Sequence, residues 1–306
     1  MLLVVNYHYI RDDIPKSGIH PITPLFFKKQ LELIHKNGYD FVSLEDINNT
    51  IKTKENKLPN KSCLITFDDG LKESYENGLP ILDEMGIPSA FFIISDTISH
   101  SNLIDVHKLH YLRTQVPTTE IYDMMSTECE LLDDNVTLNQ YPFDDLISGK
   151  VKYLLNFVKP KLIKEIFSKF ISKSEIDIAK EFYMNDEQIK DLYNRGYLGT
   201  HSKSHKPLAE LSTEDMYTDI LESILCIEEL CGVDSQIDSI SYPYGEVSAV
   251  NDKVKHNCER LDLVSGFTMF RGLNKIDDLI SNPLMIKRFD TNEVFGGKYE
   301  EKYNVR

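Results

Sequence analysis

Two adjacent carboxylates, Asp68 and Asp69, end the apolar run Leu64-Ile65-Thr66-Phe67-Asp68-Asp69-Gly70, and far downstream His201 and His205 stand four residues apart in Gly199-Thr200-His201-Ser202-Lys203-Ser204-His205. Like charges a few ångströms apart raise each other's pKa unless a cation or a proton is shared between them. A catalytic zinc takes three ligands from His and Asp/Glu and keeps a position open for water, whose pKa it lowers toward neutrality. One carboxylate of the pair with His201 and His205 makes such a set. The i, i+4 spacing predicts both imidazoles on one face of a helical turn. The other aspartate would then remain beside the water as a general base. Each piece alone also has a plain structural use: Asp-Asp-Gly serves as a turn or helix entry, and a spaced histidine pair serves as a solvated or capping pair. Their common place at predicted strand ends, where barrel enzymes put catalytic groups, favours the metal site.

Three further features have the same two-sided character. His8, also at a strand end, is a third imidazole, a general acid or a hydrogen-bonded structural histidine. Arg288 orders a carboxylate or is a surface or structural arginine, and Tyr242-Pro243-Tyr244-Gly245 is part of a site or a turn. The remaining histidines fall in loops or on helix faces.

These side chains need strands to carry them. Leu2 to Tyr7 is an apolar run short enough to be a strand buried on both faces. Thr23-Pro24 reads as an N-cap with proline at the first helical position, and Asn37-Gly38 stops that helix before a strand over Tyr39 to Val42. Ser43-Leu44-Glu45-Asp46 opens another helix. A helix over Ser74 to Met85 and a strand over Ile87 to Ile94 complete a rhythm of parallel βα units. From 103 to 182 the rhythm is lost. Helix-like segments at Val106 to Leu112, Ile121 to Met125, Val151 to Val158 and Leu162 to Phe170 predict a helical insertion, with no linker composition to mark a separate domain. The rhythm returns with the helix Asp186 to Asn194 and strands over Tyr197 to Thr200, Ile237 to Tyr242, Leu263 to Thr268 and Leu284 to Phe289. A long helix from Ser212 to Cys231 and another over Val250 to Arg260 lie between them.

The chain has 306 residues, 41% hydrophobic and 27% charged, as expected for a globular protein with a large core. A net charge of -15 leaves no basic stripe for phosphates and excludes a nucleic-acid partner. The five cysteines form no Cys-x-x-Cys pair and read as reduced thiols. The N-terminus has neither a signal-peptide pattern nor a membrane span, so cytoplasmic residence is expected. The oligomeric state is left open.

Thr66-Phe67-Asp68-Asp69-Gly70, His201-Ser202-Lys203-Ser204-His205 and Tyr242-Pro243-Tyr244-Gly245, in that order, resemble the successive motifs of the polysaccharide deacetylases, the NodB-homology proteins of carbohydrate esterase family 4. Tyr7-His8, Gly38-Tyr39 before Ser43-Leu44, and Leu79-Pro80-Ile81-Leu82 extend the likeness over roughly 2–98 and 184–292. The resemblance implies an α/β fold, a distorted (β/α)7 barrel over 1–306 with the insertion at about 103–182. It also implies a divalent metal, Zn2+ first and Co2+ or Ni2+ as alternatives, that serves removal of an N-acetyl group from an amino sugar. By position, Asp69, His201 and His205 would hold the metal and Asp68 would be the base. Tyr242, Pro243 and Tyr244 would meet the substrate, with the Tyr244 N–H helping to stabilise the oxyanion. There is no histidine after His256 to act as the late-strand acid of many members. Tyr7-His8 instead resembles the circularly permuted branch acting on poly-N-acetylglucosamine, which makes His8 the acid. Ser241 stands where many members have the arginine that orients the base, and Arg288 is the candidate replacement. The same site could also serve a deformylase or esterase, and a catalytically silent carbohydrate-binding barrel is the alternative outside enzymes.

Overall fold

The computed structural model describes residues 1–141, 144–232 and 236–303, so residues 142 and 143 of the expected insertion lie outside the described residues. Among the described residues eight short strands form one sheet: β1 (Leu2–Tyr7), β2 (Asp40–Phe41), β3 (Ser62–Phe67), β4 (Ser89–Ile93), β5 (Leu198–Thr200), β6 (Ser239–Ser241), β7 (Ser265–Phe267) and β8 (Phe289–Asp290). Every pairing is parallel, in the order β7-β6-β5-β4-β3-β1-β8, with β2 added beside β3. A parallel bridge between Phe267 and Ile286 joins β7 to the segment entering β8, so the seven-strand path returns on itself. This is the expected α/β barrel, distorted where a single bridge replaces a ladder.

Residue alternation builds the barrel wall. Leu3, Val5 and Tyr7, with Cys63, Ile65 and Phe67, pack outward against Phe27, Leu31 and Ile34 of the helix Pro24–Lys36. Leu2, Val4 and Leu64 face the other way and share a core with Phe92 and Phe267. The rings of Phe92 and Phe267 lie 5.2 Å apart although β4 and β7 are not neighbours, which makes this face the interior. With a side-chain period of two, the interior row of β1 runs Leu2, Val4, Asn6, and that of β3 runs Leu64, Thr66, followed by Asp68. The interior is therefore apolar at one end and polar at the other. Register then aligns the polar end: Tyr7 pairs with Phe67, Phe67 with Phe91, Ile93 with Thr200 and Ser241 with Phe267. His8, Asp68, His201 and Tyr242 each follow one of those strand ends and so share one rim.

The helix starts follow their signals. Thr23 accepts from the Phe26 N–H, and Ser43 and Asp46 form a reciprocal capping box. Three elements differ from expectation. The helix expected over Ser74 to Met85 begins as a π turn, Ser74–Gly78, before the α-helix Leu79–Met85. Pro80 has no N–H for the carbonyl four residues back, and the wider turn, with Leu79 N donating to the Ser74 carbonyl, absorbs it. The strand expected over Leu284 to Phe289 is a 3-10 turn, Pro283–Met285, then the Ile286 bridge and the two residues of β8. Here Lys287 N donates to Asn274 Oδ1 and Arg288 N to the Phe270 carbonyl, which takes their donors out of a ladder. The helix Ile276–Ser281 has no side-chain cap and no sequence signal that announced it.

The chain divides into two compact units, one of Met1–Arg11, Ile22–Ser101 and Lys180–Arg306, the other of Asp12–Pro21 and Asn102–Ala179. The second unit is helical, with Asp105–Gln115, Thr118–Met124, Ser126–Glu130, Asp134–Gln140, Leu146–Tyr153 with its π-turn continuation Leu154–Val158, and Leu162–Phe170. Leu109, Leu112, Ile121, Val151, Leu154, Ile163 and Phe167 are buried in it. The loop Asp12–Pro21 belongs to this unit because Gly18, at φ +87°, runs so close to the helix Asp105–Gln115 that a Cβ would lie 2.5 Å from the His110 carbonyl oxygen.

Candidate active site

Asp68, 3% exposed, continues the β1–β3 ladder by donating its N–H to the Tyr7 carbonyl. Its carboxylate is gripped from one side by Arg288, with Nη1 to Oδ1 at 3.0 Å and Nη2 to Oδ2 at 2.8 Å, and Asn6 Nδ2 donates to Oδ2 at 2.9 Å. Arg288 is wholly buried and spends its remaining donors within the barrel: Nε on the Thr268 carbonyl, Nη1 on Asn6 Oδ1 and Nη2 on Ser241 Oγ. Thus the guanidinium comes from the β8 side and reaches the very residue, Ser241, where the resemblance placed an arginine. Burial pushes the Asp68 carboxyl up, but the charges of Arg288, His201 and His8 and the Arg288 hydrogen bonds outweigh it and hold the carboxyl at about 2.

Asp69 turns away from its neighbour through a left-handed backbone, φ +74°. Its Oδ1 lies 3.4 Å from His201 Nε2 and 3.2 Å from His205 Nε2, and its Oδ2 lies 3.9 Å from His8 Nε2. Asp69, His201 and His205 offer ligand atoms all within 4.8 Å of one another, and all three residues are buried. His201 N donates to the Ile93 carbonyl, which carries the β4–β5 ladder onto the site. His201 Nδ1 lies 2.7 Å from the Ser241 carbonyl oxygen, an atom that only accepts. Nδ1 therefore carries the proton, and in the neutral ring the lone pair is on Nε2, facing Asp69, the arrangement of a metal-ligating histidine. An imidazole lone pair aimed at a carboxylate oxygen is repulsive unless a proton or a cation lies between them. The donor set thus fits a divalent cation. Burial lowers the His201 pKa, but Asp68, Asp69 and the Ser241 carbonyl together carry it above its ordinary value.

The helical turn expected for the histidine pair is not what brings it together. Residues 201–205 form an irregular loop in which Ser202 and His205 both take positive φ, 59° and 54°, and the rings meet edge to face at 5.0 Å. The loop is tied down by Asp219, which accepts from Lys203 N at 3.0 Å and from Ser204 Oγ. Tyr244 is a further left-handed residue, φ +62°, with its ring 5.2 Å from His205. Non-glycine positive φ is uncommon and costs about 1–3 kcal/mol per residue, so its recurrence at Asp69, Ser202, His205 and Tyr244 marks a place where geometry is imposed against local preference.

The candidate residues do not all face the opening. His8 is the exposed one, with 36% of its side chain accessible against 7% or less for Asp69, His201 and His205. Tyr242 has no exposed surface, and its hydroxyl donates to the Leu284 carbonyl at 2.9 Å, so this side chain is a strut in the wall. Pro243 is buried and Tyr244 half-buried. Asn6, Asp219 and Thr268 did not stand out in the sequence. For Asn6 a signal existed, since it is the one polar residue in an otherwise apolar strand. Asp219 lies among ordinary helix-surface acids and gave none.

Comparison with known proteins agrees with this geometry. A poly-beta-1,6-N-acetyl-D-glucosamine N-deacetylase of Staphylococcus epidermidis is 29% identical over 123 residues, 36% of this chain and 40% of that protein. The chain spans less than half the length of the curated relatives it matches. Among solved structures, IcaB from Ammonifex degensii superposes with a TM-score of 0.60 at 18% identity, covering 98% of this chain and 94% of the other. A de-N-acetylase from Aggregatibacter actinomycetemcomitans gives 0.61 at 15%, covering 98% of each chain. At these identities the superpositions establish the fold alone. The family rests on a sequence model, that of the polysaccharide deacetylases, which matches 55–129 and 140–264, well over half of the chain and both segments that carry the aspartates and the histidines. A rim where aspartates and histidines converge, on a barrel of this topology and with that match, makes the chain a member of the polysaccharide deacetylase family.

Proposed function

We propose that the protein is a metal-dependent N-deacetylase that hydrolyses the acetamide of an N-acetylated amino sugar. The observation that carries this reading is the convergence of Asp69, His201 and His205 with their Nε2 atoms on one carboxylate oxygen, beside a second carboxylate clamped by Arg288. A divalent cation held by these three residues, Zn2+ first, would supply Lewis acidity, lowering the pKa of a water to about 7 and polarising an acyl oxygen.

The chain's own residues have separable tasks. Asp69, His201 and His205 are the ligands, and the Ser241 carbonyl fixes the His201 tautomer. Asp68, kept ionised by Arg288, is a proton acceptor at every pH above about 4. Its low pKa makes it a weak base, so the water must arrive already acidified. His8, at the wet edge of the set, is placed to protonate the departing amine. Backbone at Tyr244 would donate to the developing oxyanion, and Pro243 and Tyr244 would bound the sugar. The S. epidermidis relative is named for an N-acetylglucosamine polymer, which supports an N-acetylhexosamine unit as substrate. We further take 1–306 as one barrel domain with an insertion at about 103–182 and a cytoplasmic protein. No described helix is long and apolar enough to cross a membrane, and all five cysteines are free.

Acetate release tests the reading on N-acetylglucosamine oligomers, sugar nucleotides and lipid-linked sugars, with N-formyl and O-acetyl analogues alongside. Acetate from the N-acetyl substrates that stops with chelator supports it. Turnover of the formyl or ester analogues alone would move it to another acyl hydrolase, and binding of oligomers without turnover would make the barrel a lectin.

A further inference from the structure

Asn6 holds both partners of the buried ion pair at once. It has no exposed surface, its Nδ2 donates to Asp68 Oδ2 at 2.9 Å, and its Oδ1 accepts from Arg288 Nη1 at 3.0 Å and from Thr66 Oγ1 at 3.1 Å. The direction of the amide is settled by its neighbours, because a guanidinium only donates and must face the carbonyl oxygen. The consequence falls on Asp68. Oδ2 receives two donors, Arg288 Nη2 and Asn6 Nδ2, whereas among the described residues Oδ1 receives Arg288 Nη1 alone. One carboxylate oxygen is occupied and the other keeps acceptor capacity. Position in the strand makes this a choice of residue rather than a need of the fold. Leu2 and Val4 precede Asn6 on the same interior face, and an apolar side chain there would continue the row.

We propose that Asn6 is a positioning residue for the reaction: beside the Arg288 fork it occupies Oδ2 of the Asp68 carboxylate, so that Oδ1, and not Oδ2, is left as the proton acceptor. This rests on the deacetylase reading above.

The test uses Asn6→Leu, which removes both hydrogen bonds, and Asn6→Asp, which keeps the size and the acceptor facing Arg288 but replaces the donor facing Asp68. Each is made alone and on an Asp68→Asn background, and kcat, KM and bound zinc are measured. The expected result for both single variants is kcat lower by about 10–100-fold with KM and zinc unchanged, and no further loss on the Asp68→Asn background. If Asn6→Leu does not fold, the near-isosteric Asn6→Asp carries the test. A folded variant with kcat within about twofold of wild type, a loss of equal size in both backgrounds, or a loss of zinc would overturn the role of Asn6 while leaving the deacetylase reading in place. A wild type that binds zinc but releases no acetate from any substrate would overturn the reading, and the role of Asn6 with it.

Discussion

The two adjacent aspartates have opposite environments within one turn of chain. Asp68 is satisfied by protein donors; Asp69 faces two imidazole nitrogens that a shared proton or a cation would reconcile with it. Replacing Asp68 by Asn is therefore expected to lower kcat by about 10²–10⁴-fold while bound metal stays at the wild-type level, as measured by acetate release and metal analysis. His8→Ala should lower kcat with metal retained as well, since His8 lies farther from Asp69 than either of the other imidazoles. Asp68 also links stability to pH. Its folded-state value of about 2 lies below the ordinary aspartate value of about 3.9, so its stabilisation is complete above about pH 4 and is lost as pH falls toward 2. The size is about 2–3 kcal/mol, and urea titrations of metal-free protein across that window should show a loss that Asp68→Asn lacks. Truncating the partner is harsher: Arg288→Ala leaves a buried carboxylate uncompensated and should cost about 3–5 kcal/mol in the same titrations.

At the scale of elements, the site exists because parallel strands end at one level. Those strands were readable: apolar runs, N-caps at Thr23, Ser43 and Ser212, and the rhythm of βα units all point to the barrel. The members of the Asp69, His201 and His205 group were readable too, because their spacing and strand-end placement carry chemistry by residue type. What stayed hidden is non-local. Arg288 is the expected partner of Asp68, but the segment that carries it reads as one more strand, whereas its backbone donors go to Asn274 and Phe270. The histidine pair looked like a helical turn because i, i+4 spacing has that simplest explanation, whereas two left-handed residues in fact bring the rings together. Close approach between strands is equally invisible. A Cβ on Gly199 would lie 2.6 Å from Phe92 Cε1 and 2.9 Å from the Ser239 carbonyl oxygen, so no side chain fits on β5 one residue before Thr200. Gly199→Ala should thus destabilise by about 1–3 kcal/mol and lower activity with it, seen by thermal unfolding beside turnover.

At the scale of the whole molecule, Asp69 belongs to the turn after β3 and the histidines to the loop after β5, with the second unit's long segment, Asn102–Ala179, between them in sequence. A cation that binds all three residues recognises the folded barrel and not the unfolded chain, so it is coupled to global stability. At a thousandfold excess over its dissociation constant it would add about 4 kcal/mol. The most direct measurement joins that coupling to the chemistry: acetate release and thermal unfolding of wild type and Asp69→Asn, each as purified, after chelator, and after added Zn2+. Chelator should abolish wild-type acetate release and lower its melting temperature, Zn2+ should restore both, and Asp69→Asn should respond to neither treatment. Undiminished acetate release by a wild type stripped of metal would contradict metal-dependent deacetylation.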